Sequence, residues 1–70
     1  SPMPLDFVEA YLAACHAYLG HEDEAHRHAA AALKLTPGFS IAICRDVEPF
    51  RHARDIDHLA EGFRLAGLPE

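Results

Sequence analysis

The residues able to do chemistry in this chain are six histidines, two cysteines and an acidic majority. Glu22 and His26, and Glu24 and His28, stand four apart, one turn of a helix, a spacing that can chelate zinc. Against that, His26 and His28 point about 200° apart at 100° per residue, and no cysteine lies near them. The pairs read as solvated Glu/His charge pairs along a helix, and no metal or cofactor is expected. Cys15 beside His16 is no nucleophile–base pair either, because adjacent helical residues face different sides. Both Cys15 and Cys44 lie in apolar stretches, whereas a reactive thiol needs an electropositive, exposed setting. They are expected to be reduced, buried thiols, and the chain is expected not to be an enzyme.

The bulk numbers narrow the partner. Six basic against eleven acidic residues give a formal charge of −5, which removes the electrostatic term that nucleic-acid binding depends on. Full protonation of the histidines would take the charge from −5 to +1, so self-association is expected to differ between about pH 5.5 and 7.5. The longest apolar runs fall short of the roughly 18 residues of a membrane span. With no leader pattern either, the expectation is a cytoplasmic protein binding neither nucleic acid nor membrane. Seventy residues, half of them apolar and many of those alanine, form a thin core, one that rarely supplies more than about 3–5 kcal/mol alone. A fragment of something larger, or a protomer that borrows a partner's surface, is therefore expected.

Four helices position these groups. From Pro4 to Leu19, the residues Leu5, Val8, Leu12, Cys15 and Leu19 fall three or four apart on one face, with Phe7, Tyr11, Ala14 and Tyr18 on a neighbouring one. A helix apolar around most of its circumference needs partners on two sides. Gly20 ends it, Glu22, Asp23 and Glu24 open a second helix that runs to Leu35, and Pro37 and Gly38 end that. A short third helix is predicted over Phe39 to Val47, broken by Pro49, and a last one over Ala53 to Ala66. The last turns Ile56, Leu59, Ala60 and Phe63 inward, with Asp55, Asp57, Glu61 and Arg64 outward. No segment alternates with period two, so no strand is predicted. The run Arg45, Arg51 and Arg54 is interrupted by acidic residues and reads as a solvated rim.

Helix, glycine turn, helix, proline, helix resembles a tetratricopeptide repeat (TPR), a unit of about 34 residues. The matching positions are Leu12, Ala13, Gly20, Glu24, Ala25, Ala32, Leu33, Leu35 and Pro37; Glu9, His16 and Ala29 stand where the pattern usually has aromatics. On this basis residues 1–5 are a linker remnant and helix start, 6–39 one repeat, and 40–70 a half-repeat helix with a capping helix. The tail, with Pro49-Phe50, Asp55-Ile56, Glu61-Gly62 and Ala66 to Glu70, is similar to the C-terminal tails of bacterial class III adenylate/guanylate cyclase-like signalling proteins, although no cyclase catalytic residues are present. The expected fold is all-α: a two-helix hairpin, the third helix stacked on it and a capping helix, with Leu12, Leu19, Leu33, Ile43, Phe50, Leu59 and Phe63 in the core.

The resemblance implies a non-enzymatic protein–protein interaction module, the C-terminal repeat segment of a larger regulatory protein. Its concave face would be lined by Phe7, Ala10, Tyr11, Ala14, Ala17 and Tyr18, continued by Ile41, Cys44, Arg45 and Glu48. That face is either a groove for an apolar peptide or helix, with Tyr11 and Tyr18 as anchors, or a surface packed on a neighbouring repeat or a second copy. The alternative function is a self-associating structural cap that forms a homodimer through its apolar first helix.

Overall fold

The computed structural model of the chain describes residues 7–47 and 53–70. Four helices make it up: α1 (Val8–Tyr18), α2 (Glu22–Leu35), α3 (Ile41–Val47) and α4 (Ala53–Leu65), with no strand among the described residues. The all-α expectation is met, and the ends of α2 fall where the acidic trio and Pro37 place them. The expected helix start at Pro4, the break at Pro49 and the core residue Phe50 lie outside the described residues. The third helix begins at Ile41 rather than Phe39, because Ser40 is its cap: the Ile43 N–H donates to Ser40 Oγ at 3.1 Å. The two amides before it, of Ile41 and Ala42, donate to the carbonyls of Pro69 and Glu70 at 2.9 and 2.8 Å, so the tail beyond α4 satisfies donors that would otherwise be orphaned.

Gly20, at φ +79°, closes α1 as the glycine of a Schellman motif: its N–H donates to Ala17 O at 3.1 Å, and the His21 N–H to His16 O at 2.9 Å. Gly67, at φ +89°, closes α4 identically, with Gly67 N–H to Arg64 O at 3.0 Å and Leu68 N–H to Phe63 O at 2.9 Å.

α1 and α2 form the expected antiparallel hairpin, and its inner surface is alanine: Ala10, Ala13 and Ala14 from α1, Ala25, Ala29 and Ala32 from α2, all buried. Side chains that end at Cβ let two helix axes approach closely. The element stacked on this hairpin is α4, which packs on α1; α3 contacts α4 alone among the helices. This corrects the expected order. The reason is visible at Gly62, where a Cβ would stand 2.7 Å from Ala14 Cβ and 2.9 Å from Tyr18 Cε2, so α4 presents its one hole to α1. A run of rings completes the core: Phe7 meets Phe39 edge-on at 5.3 Å, Phe39 meets Phe63 edge-on at 5.3 Å, and Tyr11 lies parallel to Phe63 at 6.3 Å.

The predicted core is right for Phe63, which is wholly buried, and partly right for Leu33 and Leu59, which are half-buried against it. It is wrong for Leu12, Leu19 and Ile43, which are 38%, 67% and 42% exposed. Cys44 is buried as expected, but Cys15 is exposed. The errors at Leu12, Cys15 and Leu19 have one cause: the alanine face of α1 turns inward and the leucine face outward.

Candidate interaction surfaces and a histidine cluster

α4 lies on the side of α1 that was expected to form a concave groove. Phe7, Ala10, Ala14, Ile41 and Cys44 are buried, and Tyr11 and Ala17 half-buried. Tyr18 is exposed, but its hydroxyl donates to the His58 carbonyl of α4 at 2.6 Å and its ring stacks on the His58 ring at 4.4 Å. Arg45 donates to Asp57 at 2.9 Å, another contact with α4. Within the chain, then, these residues line an internal contact rather than an open groove; Glu48 lies outside the described residues.

What α1 leaves open is its other face. Val8, Leu12, Cys15 and Leu19 are all exposed and fall within an arc of about 60° at 100° per residue, opposite the alanine face. Glu9 is the one acidic or basic residue of α1 besides His16, and it is held sideways by His28 of α2. The signal was present in the sequence, since α1 is apolar on two faces, but spacing alone does not say which face turns inward. Leu35, Ile43 and Leu65 are also exposed, one on each of the other helices.

The histidines assemble differently from the sequence pairing. His28 Nδ1 donates not to Glu24 but to Glu9 Oε1 across the hairpin, at 2.6 Å. His16 and His28 stack at 5.2 Å with rings 6° from parallel, and the Nδ1 atoms of His16 and His21 stand 3.1 Å apart. Glu24 pairs with Arg27 at 3.7 Å. Its carboxyl is held below the ordinary value chiefly by a hydrogen bond from the backbone at the start of α2, helped by the charges of Arg27, His21 and His16. Parallel stacked imidazoles cannot both aim in-plane lone pairs at one ion, and no three His, Cys, Asp or Glu side chains among the described residues are arranged to hold a metal. No polar or charged side chain among them is fully buried, and no described helix is long and apolar enough to cross a membrane. Compared with known proteins, the chain matches no family model, no curated protein and no solved structure.

Proposed function

We propose that this chain is a non-enzymatic protein–protein interaction module, a TPR-like C-terminal segment of a larger regulatory or signalling protein, that docks through the outer face of α1. The observation that carries this reading is the stripe of Val8, Leu12, Cys15 and Leu19, bulky apolar residues left exposed along one face of the first helix and its end. A convex helical ridge fits another helix, so the partner chemistry is an amphipathic helix with anchors three and four apart. The hairpin, with its small-residue interior, supports the repeat reading, in which a neighbouring repeat would supply that helix.

The second reading is self-association through the same stripe. It is supported by the lack of charge there: with Glu9 engaged by His28, nothing on α1 opposes a second copy laid against it. Light scattering over a concentration series at pH 7.5 separates the two. A mass that doubles with concentration, and returns to the monomer in Leu12→Glu, supports self-association. A folded monomer at all concentrations leaves docking onto another protein. An association unchanged in Leu12→Glu and Leu19→Glu would remove α1 from both readings.

A further inference from the structure

The two Schellman turns of this molecule differ in one respect. In that motif the residue two beyond the end of the helix commonly makes an apolar contact with the residue five before it. At the end of α4 those residues are Leu68 and Phe63, both buried. At the end of α1 they are His21 and His16, joined by the His21 N–H to His16 O bond at 2.9 Å and by an Nδ1 to Nδ1 contact of 3.1 Å. A titratable pair therefore stands where the other turn has a permanent one.

We propose that the His16–His21 pair is a proton-operated clamp on the α1–α2 turn. An Nδ1 to Nδ1 hydrogen bond needs one nitrogen to carry a hydrogen and the other to offer a lone pair. The neutral pair meets that condition, and so does the pair with one added proton shared between the rings. A second added proton leaves an N–H on both facing nitrogens and no acceptor, and the two cations repel. Histidine is the side chain whose charge changes between pH 5 and 8, so the clamp releases on acidification.

The surroundings set how that release proceeds. From α1, Glu9 faces His28; from α2, His28 stacks on His16, while Glu24 and its partner Arg27 lie beside the pair. Glu9 is engaged by His28 and Glu24 by Arg27, and Glu22 and Asp23 share the first turn of α2 with Glu24, directly after His21. α4 reaches α1 through Ala14 and Tyr18 on another flank, and among the described residues the backbone of α3 approaches α4 rather than the two helices of the hairpin. Leu19 lies inside the turn, so its position at the end of the α1 stripe follows the state of the clamp.

Amide hydrogen exchange on the whole chain, referenced to unstructured-chain rates at each pH, tests this without a variant. Between about pH 7.5 and 5, protection of the Gly20 and His21 amides should fall roughly fivefold, the worth of one hydrogen bond, while Gly67 and Leu68 keep theirs. His21→Leu, which removes one of the two facing nitrogens and with it the contact that a second proton breaks, should hold protection constant over the same range. Protection that does not change with pH in the parent chain, or that falls equally in His21→Leu, would overturn the proposal.

Discussion

At Gly62 α4 packs so close on α1 that the contact leaves no room for a methyl group. Its missing Cβ would meet Ala14 Cβ at 2.7 Å and Ala14 Cα at 3.3 Å, both fixed to the α1 backbone. In an exposed helix, Gly→Ala gains about 1 kcal/mol of propensity; here the overpacking cost of about 1–3 kcal/mol opposes it. Gly62→Ala is expected to destabilise the chain, read as a lower urea midpoint at unchanged slope, and a higher midpoint would contradict the close crossing. A second residue-scale expectation concerns Glu70. Its carboxyl is held below the ordinary range by a hydrogen bond from Arg64 Nε at 2.7 Å, then by the charges of Arg64 and Arg45. Because the folded value is the lower one, the contribution is present above the ordinary carboxylate value and is lost as pH falls through the depressed one. Carboxyl NMR should find Glu70 titrating at higher pH in Arg64→Gln than in the parent chain. The sequence announced neither contact, since the partner of Gly62 and the return of Glu70 to Arg64 are matters of tertiary path.

At the scale of elements, the glycines and prolines were sufficient to read. Gly20, Pro37-Gly38 and Gly67 end helices where they stand, and the inward face of α4, with Ile56, Ala60 and Phe63 buried, followed from 3.6 periodicity. α1 was legible as a helix but not in its rotation. With leucines on one side and alanines and aromatics on the other, volume argues for the first face inward and close helix approach for the second, and close approach wins. The histidine cluster was illegible for a related reason: Glu9 and His28 are 19 residues apart and meet only because the hairpin is closed. Cys15 reports on the rotation directly. Exposed on the outer face of α1, it should react with a thiol reagent without denaturant, whereas Cys44, wholly buried, should react only on unfolding. Protection of Cys15 that grows with protein concentration would locate self-association on its stripe; equal reactivity of both thiols in the folded chain would contradict the packing.

For the whole molecule, the decisive feature is how few side chains hold four helices together. The hairpin interior is alanine, so each buried residue there contributes little, and the bulky part of the core is Ile41, Ile56 and Leu68 with the rings of Phe7, Phe39, Phe63 and Tyr11. Those rings come from the start of α1, the segment between α2 and α3, and α4, so they join segments no single hairpin could join. The sequence pointed to Phe63 but weighed it equally with Leu12, because spacing counts bulky residues without knowing which neighbour they meet. The two should now part sharply. Phe63→Ala removes a wholly buried ring in contact with two others, a change costing about 3–5 kcal/mol, which equals what a core of this size commonly supplies in total. Leu12→Ala removes a side chain on the open face, within about 0.5 kcal/mol of neutral. Far-UV circular dichroism at 25 °C should find Phe63→Ala largely unfolded and Leu12→Ala as helical as the parent chain. The reverse result would mean that the leucine stripe faces inward and that α1 is rotated by half a turn.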